Sequence, residues 1–167
     1  MRLATGISES DLLARLARFQ IETPSWGYAD TGTRFGKFLQ DAAATTIEEK
    51  LADAAEVHRH TGCCPSVAVH VLWDFPASPS DEDARRIARL ADSLGLRIGS
   101  VNPNVFQDAC YKWGSLTNRD PAIRRRALDH VLDSIRVGQC VGSKCLSLWF
   151  ADGTNYPGQA DIRQRKR

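Results

Sequence analysis

Tryptophan, histidine and carboxamide side chains recur in this chain at the ends of apolar runs. Trp26 follows the run 19–23, and His70 sits within the run 67–72, just before Trp73 and Asp74. Asn102, Asn104 and Phe106 follow the run 97–101, and Trp149 lies in the run 145–150, just before Asp152 and Asn155. An indole offers a flat apolar face and one N–H donor. An imidazole exchanges a proton near neutrality, and carboxamides both donate and accept. That combination suits a sugar, whose C–H faces pack on rings while its hydroxyls need directional partners. Singly, a tryptophan at a strand end reads as core and a histidine in an apolar strand as a hydrogen-bonded structural residue. Four run ends that each bring an aromatic ring make the ligand-binding reading the sharper one.

The same residues do not read as a metal centre. His58 and His60 lie two apart on a helical pattern and so face different ways, His130 falls on another helix, and His70 stands alone on its strand. Asp74, Asp108 and Asp152 sit near suitable loops, but no pattern such as HExxH marks them. The five cysteines, Cys63, Cys64, Cys110, Cys140 and Cys145, are odd in number and lack zinc-site spacing. They are expected to be buried free thiols.

The elements that would position these residues alternate in type. An amphipathic stretch around Leu12, Leu13 and Leu16 precedes a first strand at 19–23, ended by Pro24, and a Gly-rich loop. A first helix is expected over 46–60, capped by Thr45 with Glu48 and striped by Ile47, Leu51, Ala54 and Ala55. The β-branched run 67–72 reads as a strand buried on both faces. A second helix follows over 81–94, with Ser80 as cap and Ile87, Leu90 and Leu94 inward, and then a short strand at 97–101. The third helix, 121–141, has Asp120 as cap and Pro121 in its first turn. Leu128, Val131, Leu132 and Ile135 form its stripe, and the run 145–150 is a fourth strand. This order predicts an α/β fold of about four parallel strands with crossover helices. It leaves open whether the sheet is flat or part of a barrel. Either way, ligands gather at the carboxyl ends of the strands. Neither GxGxxG after the first strand nor GxxxxGK[ST] occurs, so the common nucleotide-binding readings lose their support.

Bulk properties set the outer limits. At 167 residues with 43% hydrophobic and 25% charged side chains, the chain suits one ordinary globular domain. A net charge of +2 implies no polyanionic partner, and the basic runs Arg124–Arg126 and Arg163–Arg167 lack the interleaved aromatics of a nucleic-acid surface. No apolar run reaches membrane-spanning length, and the charged start lacks a signal-peptide core. The expectation is a cytoplasmic protein with neither membrane nor nucleic-acid partner.

Pro24-Ser25-Trp26-Gly27, Thr33-Arg34-Phe35, His70-x-x-Trp73-Asp74, Asn102-x-Asn104-x-Phe106, Gly142-Ser143-Lys144 and WFADGTNYPGQ at 149–159 occur in order. As a set they resemble the first half of the L-rhamnose isomerase-like sugar isomerases, relatives of xylose isomerase, from about residue 19 onward. The resemblance implies that residues 1–167 form a single partial domain, the first half of a (β/α)8 TIM barrel ending after strand four. It further implies a metal-dependent interconversion of aldoses and ketoses of the L-rhamnose to L-rhamnulose type, by hydride shift between the first two sugar carbons. His70 would assist ring opening, and Trp26, Trp73, Phe106 and Trp149 would join it in lining the sugar pocket. Phe35 would reach into a neighbouring subunit's pocket, the parent being a homotetramer. The divalent cation, Mn²⁺ by resemblance, would take its ligands from later strands, so no metal ligand is expected in this chain and the chain alone is expected to be inactive. A non-catalytic half-barrel that binds sugar or self-associates, and another xylose-isomerase-like barrel such as a sugar epimerase, are the alternatives.

Overall fold

The computed structural model describes residues 6–29, 40–150, 152 and 161–165. Four strands, β1 (Glu22–Pro24), β2 (Ser66–His70), β3 (Arg97–Asn102) and β4 (Cys145–Leu146), lie side by side in chain order, all parallel. The intervening helices are α2 (Ile47–Thr61), the single turn α3 (Val71–Asp74), α4 (Asp81–Ser93) and α5 (Pro121–Cys140); α1 (Glu9–Leu16) precedes them and α6 (Ile162–Arg165) follows. A doubly wound sheet reverses its strand order part-way, whereas here each strand adds beside the one before it. Val67 and Val69 of β2 and Ile98 and Val101 of β3 pack in one core with α2, α4 and α5. Sequential parallel strands with their long helices in one outer layer are part of a (β/α) barrel. Among the described residues, no helix is long and apolar enough to cross a membrane.

Several element boundaries differ from the sequence reading. Thr46, not Thr45, caps α2, and its reciprocal partner is Glu49, whose carboxylate accepts from the backbone N–H groups of both Thr45 and Thr46. β1 is shorter than the run 19–23 and leaves Phe19 and Ile21 exposed. β4 holds only two residues, with one further bridge from Val105 to Phe150. The apolar stripe of α1 buries nothing. On α5 only Val131 of the expected stripe is buried; Leu128, Leu132 and Ile135 are exposed. The buried face carries smaller residues, Ala127, Val131, Ser134, Val137 and Gly138. Small side chains let the helix axis approach β3, and a Cβ at Gly138 would stand 3.7 Å from Val101. Of the five free cysteines only Cys64 is buried; Cys145 is exposed because it lies on the outer strand β4.

β3 carries one extra residue relative to β2, since Val67 pairs with Ile98 but Val69 with Val101. This β-bulge takes Gly99 and Ser100 out of the regular ladder with β2. The Glu22 carboxylate takes up the freed Ser100 N–H at 2.8 Å and also accepts from the Ser100 hydroxyl. A Cβ at Gly99 would fall 1.4 Å from a Glu22 carboxylate oxygen. Gly99→Ala must therefore break these hydrogen bonds and is expected to cost about 1–3 kcal/mol in urea unfolding. The penalty should largely vanish in a Glu22→Ala background, and an equal loss in both backgrounds would rule out the clash.

Candidate active site

The carboxyl ends of β1 to β4 surround one apolar hollow. Trp26, His70, Trp73, Asn102, Pro103, Phe106, Ser147 and Trp149 line it. His70, the last residue of β2, lies with its ring stacked on Trp73, centroids 3.6 Å apart and planes 15° from parallel. Trp26 stands edge-on to both, 6.2 Å from His70 and 6.1 Å from Trp73. Phe106 is edge-on to His70 at 6.4 Å and continues to Trp149 at 5.4 Å. The structure thus brings together all five residues nominated as substrate contacts from four separate strand ends. Phe35 lies outside the described residues.

His70 is 3% exposed, yet neither ring nitrogen has a hydrogen-bond partner among the described residues. Burial pushes its pKa down to about 4, with smaller contributions from His130 and Lys50. The imidazole is therefore neutral at pH 7, with one N–H donor and one bare nitrogen beside the hollow. Leaving such groups unpaired in a folded interior costs about 1–3 kcal/mol each. A polar ligand would recover that cost.

Beneath the rings lies a polar anchor that the sequence reading missed. Asp74 is buried, and one carboxylate oxygen accepts from Ser25 Oγ at 2.5 Å and from the His70 backbone N–H at 2.6 Å. The other pairs with Lys50 Nζ at 2.8 Å, and the same ammonium donates to the Trp73 carbonyl at 3.2 Å. Lys50 comes from α2, Ser25 from the 3₁₀ turn that carries Trp26, and Asp74 from α3. This cluster ties the backbones carrying Trp26, His70 and Trp73 to one helix. A signal was present: Lys50 falls on the buried face of α2 with Ile47, Leu51 and Ala54, where a solvated lysine has no place.

The metal implied by the resemblance finds no cradle among the described residues. Among the described residues no three His, Cys, Asp or Glu side chains converge, and the three candidate carboxylates are engaged elsewhere. Asp74 is in the anchor. Asp108 caps the 3₁₀ turn Ala109–Trp113 and pairs with Arg126. Asp152 accepts from the backbone N–H and hydroxyl groups of Ser115 and Thr117. Burial alone would raise the Asp152 pKa, but these hydrogen bonds outweigh it and hold the carboxyl below its usual range. The donor set does not fit a divalent cation.

No family model matches the chain. At 35% identity over 162 residues, 94% of it aligns with a probable sugar isomerase of Rhizobium meliloti, and equally with one of Mesorhizobium japonicum. This chain is similar to sugar isomerases. A xylose isomerase of Thermus caldophilus is 32% identical over 74 residues, 44% of this chain and 19% of that protein. The chain spans only 36% of the length of the two bacterial sugar isomerases. These relatives accord with the xylose isomerase-like reading of the barrel segment.

Proposed function

We propose that this chain forms the sugar-binding rim of an aldose–ketose isomerase of the L-rhamnose isomerase type, with His70 moving the proton at ring opening. The observation that carries the reading is a neutral, unpartnered imidazole enclosed by aromatic rings from four strand ends. The sugar's C–H faces pack against Trp26, Trp73, Phe106 and Trp149. The bare nitrogen of His70 takes the proton of the anomeric hydroxyl. A carbonyl forms as the bond from the anomeric carbon to the ring oxygen breaks, and the same nitrogen returns the proton to the departing ring oxygen, leaving the imidazole neutral as it began. In the family a divalent cation, Mn²⁺ by resemblance, supplies Lewis acidity for the later hydride shift; no residue described here is assigned to it. Phe35 keeps its proposed role at a neighbouring subunit's pocket in a tetrameric, cytoplasmic parent.

Because the donor set for the cation does not fit, the chain by itself is expected to bind sugar without isomerising it. Titration with L-rhamnose should shift the tryptophan fluorescence, and Trp73→Ala should weaken binding roughly tenfold, about 1.4 kcal/mol. No fluorescence change and no calorimetric heat at saturating sugar would overturn the proposal. Ketose formation by the purified chain with Mn²⁺ would instead overturn its inactivity.

A further inference from the structure

The Trp73 indole is held from its far side by a relay that begins outside the hollow. Its Nε1–H donates to Gln107 Oε1 at 3.2 Å, and the same oxygen accepts from Asn104 Nδ2 at 2.9 Å. Asn104 is buried, and its own Oδ1 accepts from the backbone N–H groups of Gln107 at 3.0 Å and Phe106 at 3.4 Å. The Asn104 backbone N–H in turn donates to His130 Nε2 at 2.9 Å. An imidazole nitrogen that accepts carries no proton, so His130 holds its proton on Nδ1.

His130 sits on α5, so this bond fixes the loop after β3 to the outer helical layer. From the Asn104 backbone the constraint passes through that residue's own side chain to Gln107 and from Gln107 to Trp73 by hydrogen bonds, and the last one ends on the ring stacked against His70. Phe106, another wall of the hollow, depends on the same asparagine.

We propose that His130, acting through Asn104 and Gln107, is a positioning residue that orients the Trp73 indole against His70 and thereby sets sugar affinity. The statement about affinity rests on the sugar-binding reading above; the statement about the indole does not.

The two parts separate experimentally. The near-UV circular dichroism of Trp73 is isolated by subtracting the spectrum of Trp73→Phe, at pH 7. His130→Leu removes the acceptor and should reduce that band by half or more with the far-UV spectrum unchanged. His130→Gln, whose side-chain oxygen can still accept from Asn104, should restore most of it. Gln107 is exposed, so Gln107→Leu should fold normally and reproduce the loss even if His130→Leu does not fold. L-rhamnose affinity, read by calorimetry, should fall about three- to tenfold in His130→Leu and Gln107→Leu and recover in His130→Gln. A Trp73 band unchanged in Gln107→Leu, or a band lost equally in His130→Gln and His130→Leu, would overturn the relay. Bands that change as described in a wild-type chain that binds no sugar would sustain the relay and defeat the sugar-binding reading instead.

Discussion

Lys50→Met is expected to destabilise the chain by about 3–5 kcal/mol, because it leaves the Asp74 carboxylate buried without its counter-charge. The pair is enclosed on both sides, with side chains 4% and 0% exposed, so solvent screening does little to soften the loss. A penalty of that size rivals the whole stability of a small domain, so the variant should unfold at far lower urea. Adding Asp74→Asn removes the stranded charge while keeping an oxygen for Ser25 and His70. The double variant should therefore recover part of the loss. The hollow should suffer with the fold, since the same cluster holds the backbones beneath Trp26, His70 and Trp73. A Lys50→Met penalty below about 1 kcal/mol would mean that water reaches the pair.

Stability should also fall by roughly 3 kcal/mol as pH drops from 6.5 to 4, through His70 alone. Its pKa is held near 4 in the fold, against 6.5 in the unfolded chain. Above pH 6.5 both states are neutral at this residue and nothing is lost. Between the two values the unfolded chain takes a proton that the folded chain refuses, and stability drains toward the acid side. His130, lowered by burial, acts in the same direction. The carboxylates held below their usual range, among them Asp108 and Asp152, lose their contribution at still lower pH. His70→Phe can keep the stack on Trp73 and cannot titrate. It should flatten the upper part of the profile, be no less stable than wild type at pH 7, and lose sugar binding. Equal pH slopes for the two proteins would show that His70 is not the group titrating.

The second strand could be read from the sequence because burial on both faces demands a β-branched run, which Val67, Val69 and Val71 supply, and the third as a short apolar run after the Gly95 turn. Side chains at the ends of such runs were bound to share a rim once the strands proved parallel and sequential. What could not be read was set by contacts distant in sequence. Val71 and Leu72 continue the apolar run yet form a helical turn, because Asp74 folds back to accept the His70 N–H. Lys50 went unmarked, although it shares the face of Ile47, Leu51 and Ala54, because its partner lies 24 positions away. On α5 the larger leucines suggested the inward face, but close approach to β3 selected the smaller side chains instead. The His130 relay was hidden for the same reason: imidazole and asparagine meet only when α5 closes over the loop after β3.

The extra residue in β3 decides more than local shape. Alternation along a strand would send Val101 toward the hollow if Ile98 faces the helices. The bulge absorbs one position, so Val101 stays in the core and Asn102 arrives opposite His70. Glu22 grips that bulge from the end of the sheet remote from the rings. A single carboxylate at the barrel floor thus sets the phase of the strand that delivers an amide to its mouth. Were the grip released, the natural slip would be by one position, exchanging a carboxamide for a valine at the rim without altering any residue there.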